Sequence, residues 1–177
     1  LAMASAAYYL ALREFQGWVH HPEEERAEAV RLAHKAVELD RDDVNVLWQA
    51  AFTIWTFERD GPTARELFRR ALMINENSSM TLTMAGWVEA AIGSPAEARR
   101  LIERSLRLNP RHPRGWFMAT GMAIACIGEG KYEEAVGWAD KALAAQAYSE
   151  VLARKPDDAA AIKGLAKVLT ESERYPE

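Results

Sequence analysis

The chain has one cysteine, Cys126, in 177 residues. That rules out an internal disulfide and any cysteine-cluster zinc site. No run of 18 apolar residues occurs, so no transmembrane span is expected. A basic excess is also missing: the net charge is −4 and the pI near 5.7. Nucleic-acid binding needs a basic face, so that class is disfavoured. There is no His-Glu-x-x-His, no phosphate loop and no nucleophile elbow. Alternation of the kind that marks strands never persists for a strand's length. Seven prolines and ten glycines are few and sit mostly at joints, and 49% of residues are hydrophobic. Disorder is therefore not expected.

The titratable residues do not assemble a reaction centre. His20 and His21 are adjacent, so their side chains diverge, and His34 and His112 are isolated. No metal site, no cofactor and no enzyme activity is expected from them. Glu23, Glu24, Glu25, Glu133 and Glu134 sit at helix starts, where the helix dipole favours acids on a solvated surface. Arg99, Arg100, Arg104 and Arg107 read as a solvated face of one helix, with docking of an acidic partner as the alternative. Cys126 lies in an apolar helical run and reads as a buried thiol.

What the chain does have is a repeated helical phrase. It occurs at Ala29–Asp40, Ala64–Asn75, Ala98–Asn109 and Ala135–Gln146. The anchors Ala36, Ala71, Ser105 and Ala142 stand 35, 34 and 37 residues apart. A constant step of that length means stacked supersecondary units. Such arrays bind through extended concave surfaces, which moves the functional question from catalysis to recognition.

The predicted elements alternate with polar joints. Helix one spans about Met3–Gly17, and helix two follows Pro22 to about Leu39. Asp42 or Asp43 caps the third helix, and Asp60-Gly-Pro62 opens the fourth, which ends near Ile74. Ser94, Pro95 and Glu97 form a capping-box pattern ahead of helix six. Helix seven, from about Pro113 to Ile127, is expected to be one turn longer than its peers, which would account for the 37-residue step. Gly128-Glu-Gly130 is a helix stop. The phase then breaks near residues 144–148: Ala142 and Val151 are equivalent anchors only nine residues apart. Either one long helix runs from Lys131 to Lys155, or part of a repeat is missing; the renewed register from Asp157 favours the second. The predicted units are 3–41, 43–76, 78–110, 112–147 and 148–177, the last incomplete. The start at Leu1 rather than Met suggests a fragment or a processed chain, with the cytoplasm as the expected location and the periplasm as the alternative if an export signal has been cleaved.

The units resemble tetratricopeptide repeats. The clearest matches are Gly86…Gly93-Ser-Pro-Ala-Glu-Ala98…Ile102…Ser105-Leu…Asn109-Pro110 and Trp116…Gly130-Lys-Tyr-Glu-Glu-Ala135…Ala139…Ala142-Leu143. Arg41 and Glu76 stand where a closing proline is usual, and Glu89 where a large apolar residue is usual. The long first joint and Ala7–Arg13 also resemble the repeat arrays attached to bacterial nucleotide cyclases and winged-helix regulators. The resemblance implies an all-α, right-handed superhelical solenoid of antiparallel helix-turn-helix hairpins. It implies a protein or peptide partner, or a regulatory, self-associating module with a possible homodimer. It places Gln49, Thr53, Thr56, Met80, Thr83, Met84, Trp87, Phe117, Met118 and Gly121 near a concave groove. That set is apolar and suited to a helical or apolar segment. Trp48, Trp55 and Trp116 fall on core stripes, whereas Trp87 does not.

Overall fold

The computed structural model describes residues 1–110 and 115–170. Among the described residues it has nine helices and no strand. They are α1 (Ala2–Phe15), α2 (Pro22–Leu39), α3 (Val44–Glu58), α4 (Gly61–Ile74), α5 (Ser79–Ala91), α6 (Pro95–Leu108), α7 (Gly115–Gly128), α8 (Tyr132–Arg154) and α9 (Ala159–Thr170). Two compact units result, Leu1–Val88 and Glu89–Glu177.

In the first unit α1 packs on α2, α3 on α4, and both α1 and α2 on α3. Alanine makes the close crossings possible. Ala4, Ala7 and Ala11 of α1 and Ala29 and Ala33 of α2 are fully buried at helical spacing. Ala4, Ala36 and Val46 form one cluster, with Val37 against it. Large residues on α3 fill the remaining space: Leu47, Phe52 and Ile54 are buried. Each such side chain contributes roughly 1.5–3 kcal/mol by leaving water.

In the second unit α6 packs on α7, α7 on α8 and α8 on α9. Ile102, Met118 and Met122 form one cluster, with Leu106 and Trp138 beside it. Ala145 and Leu165 form another, against Trp116, Tyr148, Leu152 and Val168. The core tryptophan expected at Trp116 thus packs in this cluster, and Trp48 and Trp55 are buried in the first unit.

The joints follow two chemical patterns. After α1, α5 and α7 the chain reverses through a glycine of positive φ: Gly17 at 68°, Gly93 at 89° and Gly130 at 73°. In each case the next amide reaches back to close the helix: Trp18 N to Arg13 O, Ser94 N to Glu89 O and Lys131 N to Cys126 O. After α3 the same conformation falls on Arg59, φ 57°. The α2–α3 and α4–α5 joints use side-chain oxygens instead. Asp40 accepts from the amides of Asp42 and Asp43, and Asn75 from that of Asn77. Asp43 then caps α3, accepting from Asn45 N at 2.7 Å and Val46 N at 3.0 Å.

Two sequence expectations change, and one open alternative is met. The capping box at Ser94 does not form: Ser94 makes no side-chain cap bond. Glu97 pairs instead with Arg100 through two bonds, at 2.7 and 2.6 Å. A charge-assisted fork one turn along the helix outcompetes a single bond to a backbone amide. Helix α7, at 14 residues, is not a turn longer than its peers, since α4 and α6 have 14 as well. Pro113, its expected start, is outside the described residues. At residues 144–148, where the repeat phase breaks, the chain is helical throughout, inside the 23-residue α8, which agrees with the first of the two explanations, one long helix from Lys131 to Lys155. Alanine and leucine there are strong helix formers, and nothing between Tyr132 and Arg154 stops the helix.

Candidate partner-binding surface

The groove set falls on α3, α5 and α7. In the first unit Thr53, Thr56, Thr83 and Met84 are buried, while Gln49, Met80 and Trp87 are half-buried. The first four are therefore packed inside the unit, and the last three keep part of their surface accessible. The threonines turn their hydroxyls back onto their own helices: Thr53 to Gln49 O, Thr56 to Phe52 O and Thr83 to Ser79 O. Such back-bonding uses the donor locally, within the helix that carries it. Gln49 Oε1 accepts from Ser5 Oγ at 3.0 Å, which ties α3 to α1.

Trp87 meets an aromatic series that sequence reasoning missed. Its ring stands edge-on to Phe15, centroids 6.4 Å apart. Phe15 is stacked on Phe52 at 5.6 Å and on Trp55 at 6.4 Å. Tyr8 continues the series edge-on to Phe52 and Trp48. Phe15 remains 48% exposed, and the neighbouring Trp18 64%. The Arg59 guanidinium lies 5.1 Å from the centre of the Trp55 ring. Phe15 is the last residue of α1, which leaves its ring partly exposed.

In the second unit Met118 and Gly121 are buried and Phe117 half-buried, edge-on to Trp116. Met118 belongs to the core cluster with Ile102.

The arginine row of α6 does not form one solvated face. Arg100 is exposed, but the Arg99 side chain is only 18% exposed. Its guanidinium bonds Glu129 and Glu134, and its Nη2 lies 3.1 Å from the Sγ of Cys126. Hydrogen bonds to Glu134 raise the Arg99 pKa further above its ordinary value, against the opposing effect of burial. The Cys126 thiol is fully buried, and burial pushes its pKa up although Arg99 pulls the other way. This is an inert, packed thiol. The acids also divide. Glu25 accepts from the amides of His20 and His21 and pairs with Arg13, so it closes the long first joint. His20 and His21 are exposed, and His34 Nε2 lies 2.8 Å from Glu58 Oε2. His112 lies outside the described residues. Among the described residues no group of three His, Cys, Asp or Glu side chains is placed to hold a metal ion, and no helix is long and apolar enough to cross a membrane.

No protein-family profile and no curated protein matches the chain. A solved structure does: that of MamA protein, with 22% sequence identity and a TM-score of 0.53. The match covers 76% of this chain and 69% of MamA. At that identity the likeness speaks for the fold alone. With the all-helical architecture, it is consistent with the tetratricopeptide-like fold that the repeats imply.

Proposed function

We propose that this chain is a non-catalytic protein-interaction scaffold, a superhelical array of tetratricopeptide-like hairpins that takes an apolar or helical segment of a partner protein. One observation supports this reading above the others: the half-buried Trp87 stands against the half-exposed Phe15, on aromatic rings that are themselves packed. Rigid aromatic anchors of this kind carry most of the energy at binding surfaces. Met80 lies on the same helix, and methionine adapts to varied partners. Back-bonded threonines add apolar wall rather than donors. The lack of lysine and arginine among the groove residues disfavours capture of a peptide's terminal carboxylate. A single free thiol suits a reducing compartment, and the cytoplasm is the location we propose.

The test is an affinity measurement against a partner recovered from host lysate. Trp87→Ala should weaken binding by about 2 kcal/mol, near thirtyfold, with the helical signal retained. Trp87→Phe keeps an aromatic edge and should recover most of the loss. Unchanged affinity in a folded Trp87→Ala protein sinks the groove assignment.

A second reading, a regulatory module that associates with itself, is favoured by a separate observation. Helix α8 leaves Tyr132, Val136 and Leu143 exposed.

A further inference from the structure

Helix α8 carries an exposed apolar stripe that nothing in the second unit covers among the described residues. Tyr132, Val136, Ala139, Leu143 and Ala147 follow one another at steps of four, three, four and four, which sets them on one face. Tyr132 is 63% exposed, Val136 59% and Leu143 68%. The opposite face is the packed one, with Ala135, Ala142 and Ala145 buried. A surface helix of a folded unit normally puts such a stripe inward.

The two ends of this helix are complementary in shape and charge. At the start Tyr132 projects, flanked by Glu133 and, two turns on, Asp140. At the end a groove of about 330 Å³ is lined by Ala147, Val151, Arg154 and Lys155, with Glu150 and Asp158. Glu150 is within 3.4 Å of the Gln146 amide, and Asp158 is occupied in capping α9 through Ala161 N. Glu133, Asp140, Arg154 and Lys155 have no side-chain partner among the described residues. Leu143 stands midway: Tyr132 and Arg154 are each eleven residues from it, and Ala139 and Ala147 each four.

We propose that this face is a homodimer interface, formed by antiparallel pairing of α8 with α8 of a second copy about a two-fold axis at Leu143. A two-fold interface needs a surface complementary to itself. Here the knob at one end of the helix faces the partner's groove at the other. Tyr132 enters the groove between the partner's Val151 and the partner's Lys155, and Glu133 meets the partner's Arg154. Leu143 packs on its own equivalent, and alanines on either side of it allow close approach. The two ends of the stripe bring opposite charges together, where a parallel pairing would set like on like. The interface is small, so its dissociation constant lies at about 1–100 µM. This gives the self-association reading a definite surface, separate from the groove around Trp87.

The test is the mass of the full chain by sedimentation or light scattering from about 1 to 500 µM, bracketing that range. Wild type should move from 19.8 kDa to twice that mass as concentration rises. Leu143→Glu should stay monomeric. Glu133→Arg and Arg154→Glu should each weaken the dimer about fivefold or more, because the symmetry counts each change twice. The double variant Glu133→Arg/Arg154→Glu reverses the pair and should recover wild-type affinity. These positions are exposed, so circular dichroism should be unchanged. A wild-type mass fixed at 19.8 kDa overturns the proposal, as does a dimer that survives Leu143→Glu or a double variant no tighter than the singles. A dimer lost only with Trp87→Glu overturns the α8 interface while leaving self-association standing.

Discussion

Arg99 and Glu134, 35 positions apart, are joined by two parallel hydrogen bonds, Nη1 to Oε1 at 2.7 Å and Nη2 to Oε2 at 3.0 Å. The Nε of the same guanidinium reaches Glu129 Oε2 at 2.9 Å. One planar fork on α6 thus grips both sides of the turn from α7 to α8. Arg99→Met should leave Glu129, only 14% exposed, without its principal countercharge. The expected loss is about 2–3 kcal/mol, seen as a fall of roughly 5–10 °C in melting temperature. Arg99→Lys keeps the charge but not the fork, and should recover less than half of it. A melting temperature unchanged in Arg99→Met would show the fork to be ornamental.

The same fork predicts a pH dependence. Hydrogen bonds from Arg99 hold both the Glu134 and Glu129 carboxyls below their ordinary value of 4.5, with Lys131 assisting at Glu129 and burial opposing. A carboxyl whose folded pKa is depressed contributes stability above its unfolded pKa and loses it as pH falls through the folded value. The gap in urea stability between wild type and Arg99→Met should therefore be full above about pH 4.5 and narrow below it. A gap that widens in acid contradicts the assignment.

Left-handed turn positions give a paired prediction. At Gly130, φ 73°, a side chain is strained whatever the space, so Gly130→Ala should destabilise by about 1 kcal/mol. Arg59 holds the equivalent conformation with a side chain. Arg59→Gly relieves about 1 kcal/mol of strain but removes the contact with the Trp55 ring, worth about 0.5–1 kcal/mol at an exposed site. The two effects nearly cancel, so denaturant midpoints should fall for Gly130→Ala and hold for Arg59→Gly.

These residues also show what the sequence made legible. Helix boundaries were readable because Gly17, Gly93 and Gly130, and Asp40, Asp43 and Asn75, act on the backbone within a few positions of themselves. Arg99 was not: in sequence it is one of four arginines on α6, and its partners lie 30 and 35 positions away. The pairing of Trp87 with Phe15 spans 72 positions and has no local signature. The phase break near residue 144 left two explanations open in the sequence, and the uninterrupted helix propensity from Tyr132 to Arg154 accounts for the long helix that is found there.

The two candidate caps separate pattern from geometry. Asp43 and Ser94 are both cap-type residues directly before a helix. Asp43 accepts two amide bonds, so Asp43→Ala should cost about 1 kcal/mol, and Asp43→Ser should restore most of it. Ser94 makes no side-chain bond to α6, and Glu97 is held by Arg100. Ser94→Ala therefore removes little and should shift the urea midpoint by less than about 0.3 kcal/mol in equivalent stability. Equal losses at the two sites would mean that the capping box forms in solution and that the Glu97–Arg100 pair yields to it.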